Sequence, residues 1–158
     1  FYNKKKIPLH IFRLPGIYGP GRSALDKLIK KNKMVIRKKN QYFSRIHVED
    51  IASAVICSMN KVTPGEIFNI TDNYPCSADK VTKYAARLLN IKDLNYVDID
   101  SSEINYKIKD FYSDNKKVSN KKIKKILGWT PKFESYKLGL KEILNNINGK
   151  DSANNSLS

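Results

Sequence analysis

The sequence predicts an α/β fold, and three observations carry that prediction. Two continuous apolar runs, Leu9 to Leu14 and Glu66 to Ile70, read as strands suited to a sheet covered on both faces. Each run leads through a glycine-rich or polar turn into an amphipathic helix, the alternation that builds parallel sheets. The chain has 158 residues, 41% of them hydrophobic, enough for one domain with its own core. Two such strands are too few for a doubly wound sheet, so the rest of that sheet is expected outside this chain.

The elements follow in order. Pro15 to Gly21 packs three glycines and two prolines into one stretch and reads as a sharp turn. Ser23 is placed to cap a short helix reaching Lys31, with Leu25, Leu28 and Ile29 on one face. Met34 to Ile36 and Tyr42 to Ile46 are short strands. Val48, Ile51, Ala52, Val55, Ile56 and Met59 form the apolar stripe of a further helix. Glu49 and Asp50 stand in its first turn, where the helix dipole favours acids. Thr63-Pro64-Gly65 turns the chain into the second long strand, which ends in Thr71-Asp72-Asn73. Ser77 opens a helix with Val81, Tyr84, Ala85, Leu88 and Leu89 inward. A strand at Tyr96 to Ile99 leads into a polar link. Ser119 is the expected cap of a helix carrying Ile123, Ile126 and Leu127 and stopped by Gly128. The last helix starts near Ser135, with Tyr136, Leu140, Ile143, Leu144 and Ile147 aligned. The domain is expected over residues 1–148, and the polar tail 149–158 is expected to be disordered.

Composition sets limits on function. The net charge of +15 suggests nucleic acid or an anionic surface as a partner. The basic residues are 25 lysines against 5 arginines, with 16 asparagines beside them. Arginine is the better fork for phosphate and base recognition, and these lysines are scattered over helix faces. That pattern argues for a solvated surface and against a nucleic-acid partner. No apolar run is long enough to span a bilayer, so no membrane partner is expected. The lysines at the start have no long apolar segment behind them, so no signal peptide is expected and the expected location is the cytoplasm. Cys57 and Cys76 form no CxxC pair and read as reduced thiols; with two histidines they make no metal site.

The catalytic motifs are weak taken singly. Gly16-Ile-Tyr-Gly19-Pro-Gly21 is GxxGxG rather than GxGxxG, and Pro20 lacks an N–H that a phosphate cradle uses. Tyr-xxx-Lys pairs occur at Tyr2/Lys6 and Tyr112/Lys116, about as often as chance predicts for 9 tyrosines and 25 lysines in this length. No GxSxG accompanies Ser44, His47 and Asp50, so a hydrolase triad is not supported. His10, alternating within a strand, and His47, where a strand hands over to a helix, read first as structural. Arg45 stands at the carboxyl end of the predicted strand, where ligand crevices open in α/β sheets.

Four segments together resemble one family. "IFRLPGIYGPGRSALDKL", "FSRIHVEDIASAV", "GEIFNITDNYPCS" and "NKKVSNKKIKKILGWTPKFESYKLGLKEIL" are similar, in order and spacing, to the C-terminal half of the NAD-dependent epimerase/dehydratase family, the extended short-chain dehydrogenases/reductases. The resemblance covers nearly the whole chain except the tail. It implies the C-terminal part of a Rossmann-like doubly wound parallel sheet plus a small substrate-binding α/β subdomain.

The family's dinucleotide phosphate loop and its Tyr-xxx-Lys dyad belong to segments that precede the matched region. The resemblance therefore implies NAD or NADP as cofactor only together with an N-terminal half, which could be a separate chain. A small-molecule substrate is implied for the complete protein, and no catalysis for this chain alone. No catalytic or metal-binding residue is assigned. Leu14, Pro15, Gly16 and Ile17 match the turn beside the nicotinamide. Tyr18, Gly19 and Arg22 match the start of the substrate loop, and Arg45 and His47 are candidates for the substrate crevice. Many members that act on nucleotide sugars have Asn in place of Gly16 and Arg-Asp in place of Phe43-Ser44, so both departures argue against a nucleotide-sugar substrate. The alternatives are a basic nucleic-acid-binding module and a non-functional gene remnant.

Overall fold

The computed structural model describes residues 9–155, with side chains through residue 149. The strands are β1 (Ile11–Arg13), β2 (Gly16–Tyr18), β3 (Met34–Arg37), β4 (Arg45–His47), β5 (Ile67–Asn69) and β6 (Asn95–Asp98). The helices are α1 (Ala24–Ile29), α2 (Val48–Met59), α3 (Ala78–Leu88), α4 (Tyr106–Phe111), α5 (Lys121–Leu127) and α6 (Tyr136–Asn155). Helix α6 thus continues past Gly149, where the sequence predicts the tail to begin. The Tyr2/Lys6 pair lies outside the described residues.

The strands pair in twos, and every pair is parallel: β1 with β5, β2 with β4, and β3 with β6. Parallel pairing requires crossovers, and the helices between the partners supply them. The two long apolar runs are partners, with Ile11 opposite Ile67 and Phe12 opposite Phe68. One face of this pair is covered: Phe68 is fully buried and Phe12 packs beside it. The expected cover on both faces is not supplied by the described residues, because Leu9, Ile11 and Ile67 on the other face are exposed.

Gly16–Tyr18 is a strand rather than part of the turn. Its partner is β4, and the Gly16 N–H donates to the Ser44 carbonyl at 3.3 Å. The turn shrinks to Gly19–Arg22, closed by Gly19 N–H to Arg22 O at 3.2 Å and Arg22 N–H to Gly19 O at 3.1 Å. Gly21 takes φ +77° there, a conformation open to glycine. Ser23 then caps α1, its hydroxyl accepting from the Asp26 N–H at 3.3 Å.

Three apolar clusters hold the elements. Leu25 and Leu28 of α1, Val81 and Ala85 of α3, and Tyr136, Leu140 and Ile143 of α6 form the first, with Tyr18 at its edge. Ile46, Ala54, Phe68, Ile70, Ile123, Leu127 and Trp129 form the second. Val97, Ile99, Ile104 and Tyr112 form the third, around β3–β6 and α4. Helix α4 occupies the segment predicted as a polar link. Asn105 starts it by accepting the Ile108 N–H on its side-chain oxygen at 3.0 Å.

The predicted stripe of α2 is split. Ile51, Ala54 and Cys57 face the second cluster, while Val48, Val55, Ile56 and Met59 are exposed. The helix is apolar around more of its circumference than this chain covers, and periodicity could not choose between its two sides. At α5 the N-cap position is Asn120, whose side chain makes no cap bond, while the Ser119 hydroxyl accepts the Lys121 N–H at 3.3 Å. The Asn120 amide donates to the Thr71 carbonyl at 2.7 Å and the Asn73 side chain at 2.9 Å, tying α5 to the end of β5. Gly128 stops α5 at φ +74° as predicted.

Candidate functional site

The β1–β5 pair ends where β2 and β4 begin, and the predicted site residues gather around that junction. The Asp72 N–H donates to the Arg45 carbonyl at 2.8 Å, and the Thr71 hydroxyl donates to the same carbonyl at 3.0 Å. The loop after β5 is thereby fastened to the first residue of β4. Arg45 opens its strand rather than closing it, so the carboxyl-end argument made from the sequence does not apply to it. Its guanidinium instead donates to the Phe43 carbonyl at 3.0 Å and the Cys76 carbonyl at 2.9 Å. Those bonds hold the head group at the rim of a cleft between α1, α3 and α6.

The cleft has a volume of about 410 Å³, within the range of small-molecule sites. Tyr18, Arg22 and Arg45, three of the predicted substrate residues, line it, facing Val81, Tyr136 and Leu140. Sequence reasoning missed Tyr136 as a site residue because its helical spacing marked it only as core. It is both: buried in the first cluster and part of the cleft wall. Burial pushes its phenol up to about 12. Burial also raises the Tyr18 phenol, helped by the negative charges of Asp72 and Asp50. Both tyrosines are therefore neutral hydroxyl donors at physiological pH. The Tyr18 hydroxyl is buried and has no hydrogen-bond partner, and it lies so close to α6 that a Cβ on Gly139 would come within 2.2 Å of it.

His47 and Gly19 stand behind this wall. His47 is 1% exposed and caps α2, its Nδ1 accepting the Glu49 N–H at 3.3 Å. The acceptor role of Nδ1 places the neutral ring's proton on Nε2, which is buried without a partner. Burial lowers the imidazole's pKa, against the pull of Glu49 and Asp50. Tyr18 meets the ring edge-on at 5.1 Å and Phe133 covers it at 4.1 Å. Gly19 is buried against Val48, where a Cβ would come within 2.7 Å of the valine side chain.

Two buried acids near the junction were not singled out from the sequence as site residues. Asp50 is fully buried in the first turn of α2. Its carboxylate accepts the Lys132 N–H at 2.7 Å and the Phe133 N–H at 3.1 Å, which docks the segment before α6. Burial raises its pKa and these two bonds oppose the rise. Asp72 accepts the Tyr74 N–H at 3.0 Å on one oxygen, and its other oxygen is buried without a partner. Burial pushes its carboxyl up to about 6, against the Tyr74 bond and the nearby Arg45 charge.

The residues matched to the nicotinamide turn lie on the other side of the junction. Leu14 and Gly16 are exposed, Pro15 is half-buried, and Ile17 packs on the second cluster. A Cβ on Gly16 would have only the Ser44 carbonyl within 4 Å, at 3.6 Å, so the bare glycine leaves its backbone open to a flat ring. Among the described residues no glycine-rich strand-to-helix loop of the dinucleotide type is present to hold a pyrophosphate. The Tyr112/Lys116 pair is not arranged as a dyad: Tyr112 is buried in the third cluster and Lys116 pairs with Asp114 at 3.0 Å. The groups assembled at the cleft thus include the Arg22 and Arg45 guanidiniums, the Lys27 and Lys30 ammoniums and two neutral phenols, which can orient and polarise a ligand. A second cavity of about 380 Å³ opens on the far side, beside Phe12, Val55, Met59 and Val62. Its polar lining is His10, Ser58, Lys61 and Thr63, of which His10 and Thr63 are bonded to each other.

No family model matches the chain, and no curated protein matches it by sequence. Solved structures do match. A conserved protein of unknown function from Silicibacter pomeroyi is 42% identical, with a TM-score of 0.85, over 90% of this chain and 50% of its own. UDP-glucose 4-epimerase from Thermotoga maritima, solved with UDP-glucose, is 17% identical with a TM-score of 0.70, over 92% of this chain and 48% of its own. dTDP-glucose 4,6-dehydratase from Bacillus anthracis, solved with NAD, is 21% identical with a TM-score of 0.70, over 91% of this chain and 46% of its own. The chain spans about half the length of each of these structures. It has the fold of the C-terminal part of the Rossmann-like epimerases and dehydratases.

Proposed function

We propose that this chain is the substrate-binding, C-terminal portion of an NAD(P)-dependent epimerase, dehydratase or reductase. It works with an N-terminal half, present as preceding sequence or as a separate polypeptide. The observation that carries the reading is the junction itself. Parallel strands bring an open wall at Leu14 and Gly16 to one side and a cleft lined by Tyr18, Arg22 and Arg45 to the other. Ligands of open α/β sheets bind outside the carboxyl ends of the strands, where Leu14 follows β1 and Thr71 follows β5.

In this reading Leu14, Pro15 and Gly16 flank the nicotinamide, and Tyr18, Arg22 and Arg45 hold the substrate. The cofactor supplies the hydride acceptor or donor. The bonds from Arg45 to Phe43 and Cys76 keep its charge in place, and Asp50 and His47 brace the wall behind it. The exposed apolar side chains of β1, β5 and α2 are the seat of the N-terminal half, which supplies the pyrophosphate grip and the proton-transfer dyad. The chain alone is therefore expected to be inactive.

The test is a chimera in which the N-terminal half of the Silicibacter pomeroyi relative precedes this chain. NADH fluorescence is expected to report binding by the folded chimera and none by the 158-residue chain. Hydride transfer by the chain alone, or a folded chimera that ignores NADH and NADPH, would overturn the proposal.

A further inference from the structure

The charge of the chain is spread over its surface, and the cleft gathers four of its cations against a single carboxylate. Arg22, Lys27 and Lys30 line it beside Arg45. Among the described residues five lysines outside the cleft sit in ion pairs, among them Lys33 with Asp93, Lys83 with Asp79, Lys122 with Glu66 and Lys132 with Glu49; the other described lysines on the surface sit in none. Among the described residues, no ion pair engages Arg22, Lys27 or Lys30. The lining contains one carboxylate, Asp26, which accepts the Ser23 hydroxyl at 2.6 Å and offsets one of the four positive charges. Across from the cations, Val81, Tyr136 and Leu140 make an apolar wall. Tyr18 adds a buried hydroxyl with no partner, kept protonated by burial.

We propose that the cleft takes a small substrate with an anionic head and an apolar or ring-bearing body. The head sits among Arg22, Lys27 and Lys30, and the body lies against Tyr18, Tyr136 and Leu140. Low-dielectric walls strengthen the attraction of a cationic rim for such a head. This rests on the reading of the cleft as the substrate site and adds the charge class of the substrate. Phosphate and carboxylate share the required chemistry.

The experiment titrates the isotopically labelled 158-residue chain with phenyl phosphate, benzoate and benzyl alcohol, following amide signals by NMR. Phenyl phosphate and benzoate are expected to shift signals from α1, α3 and α6. The tighter of the two identifies the head group. Benzyl alcohol is expected to bind at least roughly tenfold more weakly. Lys27→Gln with Lys30→Gln is expected to weaken the anions roughly tenfold. Lys107→Gln with Lys109→Gln, on α4 and outside the cleft, removes equal charge and is expected to leave them unchanged.

Equal weakening by both double variants would show that net charge alone drives binding and would overturn the inference. Benzyl alcohol binding as tightly as the anions would also overturn it, while leaving the cleft as a substrate site. Shifts confined to residues outside the cleft would overturn both readings.

Discussion

The cleft side and the β1–α2 side of this molecule both carry large apolar side chains, yet those side chains end in opposite states. On the cleft side α1, α3 and α6 close over one another, so Leu25, Ala85, Leu140 and Ile143 are at most 1% exposed. On the other side Ile56 is 60% and Met59 76% exposed on α2, and Leu9, Ile11 and Ile67 lie open on the face of β1–β5 away from α2. Exposed apolar side chains concentrated on one element pair and its covering helix mark a candidate interaction surface. The difference teaches that burial is uneven across this chain. The cleft side carries its own core, and the exposed apolar side chains fall on β1, β5 and α2.

Mutations can break or sharpen that contrast. Leu140→Ala removes a buried side chain from the first cluster and is expected to cost about 2–5 kcal/mol, read as a lower urea midpoint. A loss near zero would mean the cleft side is not an independent core.

Asp72→Asn tests the polar junction beside that core. The folded state holds the Asp72 proton up to about pH 6, against 3.8 for an ordinary aspartate. The folded state thus binds more protons than the unfolded one across this window. Stability is full below pH 3.8 and falls as pH rises through 6, by about 3 kcal/mol for this group. Asp50 is shifted in the same direction. Asp72→Asn is expected to flatten the fall between pH 4 and 6 in chemical denaturation. An unchanged pH profile would remove Asp72 from the account.

Asp50→Asn keeps the shape of the side chain but loses one of two acceptors for buried N–H groups, at about 1–3 kcal/mol. Faster amide exchange at Lys132 or Phe133 is the accompanying signal. The smallest effect is expected on the open side. Ile56→Gln with Met59→Gln is expected to change the stability of the 158-residue chain by no more than about 0.5 kcal/mol. In the chimera the same pair is expected to lower the melting temperature clearly. A large effect in the chain alone would show that this face is already packed.

The strand–helix order was legible in the sequence because each apolar run is bounded by turn residues. Ser23, Gly128 and the faces of α3 and α6 followed from capping and helical period, while on α1 the predicted Leu25 and Leu28 are buried and the predicted Ile29 is 51% exposed. Helix α4 was not legible, since its sequence, YKIKDF, alternates lysines with few apolar anchors and buries no residue. The site was half legible. The motif resemblance pointed to Tyr18, Arg22 and Arg45, and the fold brings all three to one cleft. Tyr136, Asp50 and Asp72 gave no separate signal, because a core tyrosine and two turn aspartates are common wherever helices begin or strands end.

Local physics therefore determined the elements, their ends and the expectation of parallel pairing, because period, caps and turn chemistry act over a few residues. The tertiary structure alone decided which side of α2 is covered, that Gly16–Tyr18 is a strand, and that Arg45 is held by the Cys76 carbonyl. Those outcomes depend on groups far apart in sequence that meet only when helices cross over parallel strands. No window of neighbouring residues contains both partners.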